Sequence, residues 1–270
     1  MKKRAISGTI LVVVVILFLI CDNPFLDTLV VFTLSCVGIY EYNKAFKFAG
    51  YKPISWIGYL ACTSIFLMGG IVPEENKMVI LKCALPVLVI GAFVYIIAIK
   101  LRRTIVDVAI TVFSLLYIPF MFSFIKLLLL LESGTFFLVY VFVVAFIGDA
   151  SAYLVGRKFG KRKLCPEISP NKTVEGSIGS VIGVTVSGIV MTIIGNVYLG
   201  MDLSIISMVI AGTIAGVAGQ FGDLAASAIK RYCKIKDFGN IIPGHGGILD
   251  RFDSILFIAP IIYIFVKLYM

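Results

Sequence analysis

The segment from Ser227 to Asp253 carries many ionisable side chains for a chain in which 60% of the residues are hydrophobic. Those singled out are Lys230, Arg231, Lys236, Asp237, His245, Asp250, Arg251 and Asp253. Cations and carboxylates around the Gly-rich turn Pro243–Gly247 suit the binding of phosphate groups and a metal ion. Membrane proteins rarely keep so many ionisable groups at a membrane boundary without a function. The segment therefore predicts a site where a water-soluble phosphate compound meets a substrate held in the bilayer.

Two pairs of polar residues in this part of the chain are spaced three apart, so that each pair shares one face of a helix. Gln220 and Asp223 follow Gly212–Gly216, whose small residues predict close helix packing. Asp250 and Asp253 stand where the last apolar stretch begins, and simple helix capping is their structural alternative. Both pairs offer oxygen ligands for a hard cation, whereas the single histidine excludes a His-rich transition-metal site.

Two further groups of residues are candidates for the same site. Asp149 lies in an apolar stretch, where an acid costs about 2.5–3.5 kcal/mol and needs either a partner such as Arg157 or a water-filled cavity. Ser169, Asn171 and Lys172 belong to a Ser-Pro-Asn-Lys-Thr motif before another apolar stretch. A helix starting there would present free N–H groups to an anion. A helix cap with a lysine that only sets membrane topology explains this motif equally well.

The elements that position these residues are membrane helices, because the mean hydropathy is +1.06 and only 14% of the residues are charged. We predict an all-α, polytopic integral membrane protein with about nine transmembrane helices. A helix needs about 20 residues to cross roughly 30 Å of hydrocarbon. The predicted spans lie near 5–21, 26–46, 54–72, 78–99, 105–130, 135–156, 176–199, 203–230 and 252–269.

If nine spans alternate, 20 of the 24 basic residues fall in loops on one face, and the opposite loops are acidic or neutral. The positive-inside rule then places the amino terminus in the cytoplasm and the carboxyl terminus outside. The basic loops lack an aromatic surface that could read bases, so nucleic-acid binding is not expected. The six cysteines form no CxxC pair and are predicted to pack rather than to bind zinc.

The chain divides into two unequal parts. Residues 1–134 form a predicted transmembrane scaffold of about five spans and a candidate surface for a homodimer. Residues 135–270 hold nearly all the candidate chemistry, with cytoplasmic loops at 157–175 and 231–251. In the scaffold, Pro119 predicts a kink, and Glu41 is expected to extend its side chain to the membrane interface.

The stretch Ser227–Asp253 reads S-x-I-K-R-x4-K-D-x-G-x2-I-P-x-H-G-G-I-x-D-R-F-D. It resembles the signature of CTP:phosphatidate cytidylyltransferases, also called CDP-diacylglycerol synthases. The Ser-Pro-Asn-Lys-Thr motif and the region of Asp149 are similar to that family as well. The resemblance rests on specific motifs over about residues 135–270 and only on general character before them.

The resemblance implies an enzyme of phospholipid biosynthesis that condenses CTP with phosphatidic acid to CDP-diacylglycerol and pyrophosphate. It would work at the cytoplasmic face of the plasma membrane, with its apolar spans in contact with membrane lipids. The implied catalytic residues are Asp223, Asp250, Lys230, Lys236 and Asp237. Mg²⁺, with or without a second cation, would be held by ligands from the set Asp223, Asp250, Asp253, Asp149 and Gln220. The substrates would contact Ser169, Asn171, Lys172, Arg231, His245, Gly246, Gly247 and Arg251.

Two other functions remain open on the sequence. A CTP-dependent lipid-alcohol kinase would transfer the γ-phosphate instead of the cytidylyl group, and the full signature around His245 argues against it. A cation or lipid transporter would spread its acids through the membrane thickness. In this sequence the acids inside apolar segments are few, and most of them lie toward the predicted inner face.

Overall fold

The computed structural model describes residues 23–68, 74–241, 244 and 246–269, which are mostly helical. The first predicted span, 5–21, and His245 lie outside these described residues. In chain order the elements are α1 Pro24–Phe48, α2 Ser55–Met68, α3 Glu74–Ala98, α4 Ile105–Leu115, a π-helical turn Leu116–Phe120, α5 Met121–Leu129, α6 Gly134–Phe159, β1 Lys163–Cys165, β2 Ser169–Thr173, α7 Val174–Leu199, α8 Ile205–Tyr232 and α9 Leu249–Tyr269.

Six helical stretches of the described chain are long and apolar enough to cross a bilayer: Pro24–Phe48, Ile105–Leu129, Gly134–Phe159, Val174–Leu199, Ile205–Tyr232 and Leu249–Tyr269. The described residues of the predicted spans 54–72 and 78–99 are also mostly helical. The described part of α2 has 14 residues, which cover about 21 Å of the roughly 30 Å of hydrocarbon. The apolar part of α3 is the short segment Pro86–Ala98. The described residues therefore support six crossings and not the predicted nine.

The stretch Ile105–Leu129 is one helical run interrupted by the π-helical turn, and Pro119 lies inside that turn. Proline has no N–H and its ring clashes with the preceding turn, which disfavours regular α-helical hydrogen bonding at this position. A π-helical turn accommodates the proline without ending the helix. The helix is therefore irregular at Pro119, and the predicted kink stays a prediction.

The loop between α6 and α7 corrects the predicted all-α fold, because it contains a small antiparallel hairpin of β1 and β2. Lys163 is paired with Thr173, which precedes α7 directly. The Glu175 carboxylate, in the first turn of α7, accepts hydrogen bonds from the backbone N–H groups of Lys161 (3.0 Å) and Arg162 (3.2 Å). The hairpin is therefore held against the helix that follows it.

The described chain forms two compact units. The first comprises the described residues up to Lys126 together with Tyr232–Arg251, and the second comprises Leu127–Arg231 and the chain from Phe252 onward. The segment 232–251, which we predicted as a loop of the catalytic half, thus packs with the N-terminal helices. The functional boundary at residue 134 stays a prediction.

In the second unit, glycines allow the helices to approach each other closely. A Cβ atom added at Gly179 would lie 2.6 Å from Val155, across the interface of α7 and α6. A Cβ atom at Gly216 of α8 would lie 2.6 Å from Cγ2 of Val184 in α7. The close helix packing predicted from Gly212–Gly216 is confirmed, and it fixes the distances between the polar residues that these helices carry.

Replacing Gly216 by alanine is expected to destabilise the protein by about 1–3 kcal/mol relative to a Gly91→Ala control, because the added methyl group would overlap Val184. An added Cβ at Gly91, also helical, meets nothing within 4 Å. Thermal unfolding of both variants in detergent measures the difference. Equal unfolding temperatures would show that the α7–α8 contact is not tight at this position.

Candidate active site

A cavity of about 470 Å³ in the second unit is lined by polar residues from separate parts of the sequence. Its walls come from α6, the hairpin, the first turns of α7 and the middle of α8. Five predicted site residues line it: Asp149, Asn171, Lys172, Gln220 and Asp223. The fold thus brings together side chains that are up to 74 positions apart in the chain, from 149 to 223.

The strongest contact in this cavity is an ion pair between Lys172 Nζ and Asp223 Oδ2, at 2.5 Å. The two side chains are 28% and 29% exposed, so both remain accessible to a ligand. The Thr173 hydroxyl accepts the hydrogen bond from the Gly176 N–H and thereby caps α7. Two residues of the Ser-Pro-Asn-Lys-Thr motif therefore have separate roles. Thr173 caps α7, and Lys172 contacts the Asp223 carboxylate on α8.

Gln220, one turn before Asp223, connects α8 to α7. Its Oε1 atom accepts a hydrogen bond from the Ser177 hydroxyl, and its Nε2 atom donates to the Ser177 carbonyl at 3.4 Å. The Ser227 hydroxyl, one turn after Asp223, donates to Asp223 Oδ1 at 3.4 Å. These contacts restrict the side chains on this face of α8, so the Asp223 carboxylate is held in place when a substrate arrives.

Asp253 adds a further carboxylate to the second unit. It lies close enough to Asp223, Asp149 and Lys230 for their charges to interact with its own. A Cβ atom added at Gly222 would lie 2.5 Å from the Asp253 carbonyl oxygen, so α8 and α9 are in close contact here. Three carboxylates and two lysines are thus gathered in one region of the second unit.

Carboxylate oxygens are the ligands that Mg²⁺ prefers, and the region supplies them. Within the part of the chain that the structure describes, no three His, Cys, Asp or Glu side chains are close enough to hold an ion by themselves. Mg²⁺ usually takes one or two protein carboxylates and completes its shell with water and substrate phosphates. The roles of Asp223, Asp253 and Asp149 as metal ligands stay predictions.

Arg231, at the end of α8, reaches the hairpin and donates from Nε to the Ile168 carbonyl at 3.3 Å. This hydrogen bond lies immediately before Ser169, the first residue of β2. The guanidinium thus contacts the strand that carries three predicted substrate-binding residues. Lys230 is partly buried in the last turns of the same helix, and its predicted catalytic role stays a prediction.

In the first unit, Asp250 organises the loop that precedes α9. Its Oδ2 atom accepts hydrogen bonds from the backbone N–H groups of Phe238 (2.8 Å) and Gly247 (2.9 Å), and the residue is only 8% exposed. Gly246 has φ +84°, a left-handed conformation that favours glycine. Asp250 therefore holds the signature loop in shape, and its predicted role as a metal ligand stays a prediction.

Glu41 of α1 is a functional candidate that the sequence analysis missed. It is 1% exposed, and its carboxylate accepts hydrogen bonds from the backbone N–H groups of Ile248 (3.0 Å) and Leu249 (2.9 Å). The expectation that it extends to the interface is therefore wrong. Instead it caps α9, where a negative charge is favoured by the helix dipole. A Cβ atom at Gly239 or Gly247 would collide with this carboxylate, which explains both glycines of the signature.

Three of the remaining predicted residues of the signature lie on the surface of the first unit. Lys236, Asp237 and Arg251 are exposed. His245 lies outside the described residues. The roles of all four stay predictions.

Comparison with known proteins agrees with the resemblance stated above. The model of the cytidylyltransferase family matches residues 2–269. A phosphatidate cytidylyltransferase of Bacillus subtilis (strain 168) is 34% identical over 279 residues, which covers 100% of this chain and 98% of the relative. A phosphatidate cytidylyltransferase of Staphylococcus haemolyticus (strain JCSC1435) is 36% identical over 165 residues, 61% of each chain. The chain therefore belongs to the cytidylyltransferase family.

Proposed function

We propose that this protein condenses CTP with phosphatidic acid to give CDP-diacylglycerol and pyrophosphate, the step that supplies an activated lipid for phospholipid biosynthesis. The observation that carries the proposal is the cavity with the Lys172–Asp223 ion pair, in a chain of the cytidylyltransferase family. The cavity is lined by helices long and apolar enough to span a membrane. In the proposal, a lipid phosphate and a nucleoside triphosphate both reach its charged groups.

In this reaction a phosphate oxygen of phosphatidic acid attacks the α-phosphorus of CTP. A new P–O bond forms, the bond between the α-phosphorus and the bridging oxygen breaks, and pyrophosphate leaves with that electron pair. No general base is needed, because phosphatidic acid is already an anion. The protein acts by positioning the two phosphates and neutralising their charge. Lys172, Lys230 and Arg231 suit that role because they lie on the hairpin and the end of α8.

One or two carboxylates from the set Asp223, Asp253 and Asp149 would hold Mg²⁺. Asp250 and Gln220 are the other predicted ligands, and the proposal allows a second cation. When bound, Mg²⁺ would supply positive charge next to the triphosphate and its leaving group. In this structure the Asp223 carboxylate pairs with Lys172, and in the proposed complex a bound cation takes the place of the lysine beside it. Lys172 is then available to contact a substrate phosphate.

We also propose that the basic loops face the cytoplasm of a bacterial cell and that the chain is a multi-pass protein of its plasma membrane. In the first unit, Arg103 donates to the carbonyls of Lys52 (2.6 Å) and Pro53 (2.8 Å), so the end of α1 and the start of α4 lie at one end. Lys126 donates to the Pro24 carbonyl at 3.0 Å at the other end of these helices. This arrangement keeps two basic loops on the same face whether or not α2 and α3 cross the bilayer.

In the second unit, the contact of Arg231 with Ile168 places the basic hairpin loop beside the basic end of α8. By the positive-inside rule this end faces the cytoplasm, and α9 then carries the carboxyl terminus outward. The predicted homodimer stays a prediction.

Product analysis tests the proposed reaction. Purified protein in mixed micelles is given phosphatidic acid, Mg²⁺ and CTP labelled either in the cytosine ring or at the γ-phosphate. We expect ring label in the lipid and γ-label in pyrophosphate, both lost on chelation and restored by Mg²⁺. With a polyprenol added to the micelles, γ-label in the lipid would instead identify a lipid-alcohol kinase, and label in neither product from folded protein would favour a transporter.

A further inference from the structure

A second cavity, of about 470 Å³, lies in the first unit where α3 ends and α4 begins. Four basic residues line it: Lys52, Lys100, Arg102 and Arg103. None of the described residues that line it is acidic, and none belongs to the proposed catalytic set. Positive charge is therefore concentrated in a cavity that the proposed reaction does not use.

An acidic residue, Asp107, lies near this cavity, and its carboxylate already accepts hydrogen bonds from the backbone. It is buried and accepts hydrogen bonds from the backbone N–H groups of Lys52 (2.6 Å) and Thr104 (2.8 Å) as part of the cap of α4. The carboxylate still carries one negative charge and interacts with Arg103, so it offsets one of the four positive charges. The cavity thus retains a net attraction for anions.

The backbone around the cavity has a defined shape. Arg103 donates to the Lys52 and Pro53 carbonyls, which fixes one wall. Lys100 and Leu101 both have left-handed φ values, 52° and 56°, which are uncommon for residues other than glycine. The Leu101 N–H donates to the Ile96 carbonyl at 3.0 Å and so closes the end of α3. Lys100 and Arg102 are therefore presented by a specific turn rather than by a free loop.

Aromatic and aliphatic side chains of the kind found at the level of lipid headgroups lie beside this cavity. Trp56 packs edge-to-face on Tyr95, which lines the cavity, and the Arg103 guanidinium lies 5.9 Å from the centre of the Tyr95 ring. Tryptophan and tyrosine are enriched at the boundary between hydrocarbon and water. Ile97 (69% exposed) and Ile105 (60% exposed) flank the turn and offer an apolar surface to acyl chains.

We propose that this cavity binds the phosphate headgroup of an anionic phospholipid from the surrounding leaflet. The basic residues contact the phosphate, and the acyl chains lie along the exposed apolar surface of α3 and α4. Basic pockets between membrane helices are typical binding sites of anionic headgroups. Inorganic phosphate would use the charges but would gain nothing from the apolar and aromatic residues beside them. The proposal does not depend on the proposed catalytic function, because it concerns a binding site with its own residues.

The chain contains a single tryptophan, Trp56, which provides a direct test. Protein reconstituted in nanodiscs receives either phosphatidylglycerol or phosphatidylcholine with brominated acyl chains, and bromine quenches the fluorescence of a nearby indole. We expect stronger quenching by the anionic lipid at equal mole fraction. In a Lys100→Gln/Arg102→Gln protein that preference should fall by about fivefold for each removed charge.

Lys47→Gln is the matched control, because Lys47 is exposed near the end of α1 and does not line the cavity. Equal quenching by the two lipids, a preference that survives the double substitution, or an equal loss in the control would each overturn the proposal. Loss of the preference in potassium phosphate but not in potassium chloride of equal ionic strength would assign the cavity to soluble phosphate instead. Competition by unbrominated phosphatidylglycerol on the wild-type protein tests the site even if the double variant does not fold.

Discussion

Exchanging the two charges of the ion pair, in a Lys172→Asp/Asp223→Lys protein, is expected to preserve the fold but to lower turnover by about 10²–10³-fold or more. The two side chains are 2.5 Å apart and partly exposed, so a pair of reversed sign can still form. The ammonium and the carboxylate would then each stand on the wrong element for a substrate phosphate and a metal ion. Turnover measured beside the unfolding temperature separates the two effects.

Single substitutions complete this test. Asp223→Asn and Lys172→Gln should each reduce turnover strongly, and their combination should reduce it by less than the product of the two effects, because groups that act as a unit are not additive. Lys163→Gln removes an exposed charge from β1 of the same hairpin and should have little effect. A charge-exchanged protein that keeps more than a tenth of the wild-type turnover would reduce the pair to a structural contact.

Replacing Glu41 by alanine is expected to destabilise the protein and to lower turnover at least tenfold, although Glu41 lies far from the signature in sequence. The change removes the acceptor of two buried N–H groups, at about 1–3 kcal/mol for each group left unpaired. It also frees the start of α9, and small misplacements of catalytic groups reduce turnover strongly. Unfolding temperature, kcat and KM in mixed micelles measure these effects.

A positioning role for Glu41 predicts more than lost stability. At a temperature where the variant is fully folded, kcat should still be reduced, and by more than KM is raised. Glu41→Gln retains one acceptor oxygen and should be intermediate. Glu132→Ala removes an exposed acid and serves as the control. Normal kcat in folded Glu41→Ala protein would limit Glu41 to a role in stability.

The positions of the helices could be predicted from the sequence because the thickness of the hydrocarbon sets the length of an apolar stretch. The predicted span 176–199 corresponds to Val174–Leu199, and 135–156 to Gly134–Phe159. The helix predicted at 54–72 is described as far as Met68, and the rest of that span lies outside the described residues.

The hairpin of β1 and β2 could not be predicted, because strands of three and five residues are too short to show an alternating pattern. It is held by the Glu175 carboxylate and the Arg231 side chain, which come from the two neighbouring helices. Sequence-based reasoning identified Lys172 and Asp223 by residue type and motif. Their direct pairing depends on this hairpin and so required the structure.

One feature of the sequence pointed to Glu41, namely an acid inside an apolar span. However, the residues whose N–H groups donate to it, Ile248 and Leu249, are 207 and 208 residues further along the chain. No local pattern indicates a cap supplied from that distance. From the sequence alone, the glycines of the signature are explained by close approach of the backbone to a ligand. The structure adds a second explanation, the space needed by the Glu41 carboxylate.

The cap from Glu41 also constrains how the protein is made. Glu41 is synthesised early, whereas Ile248 and Leu249, whose N–H groups donate to its carboxylate, are synthesised more than 200 residues later. An unpaired acid within hydrocarbon is unfavourable. Until α9 is made, the Glu41 carboxylate of α1 therefore needs water or another polar partner. The start of α9 therefore completes the surroundings of a carboxylate on α1, and a chain that stops before residue 248 lacks both of these hydrogen-bond partners.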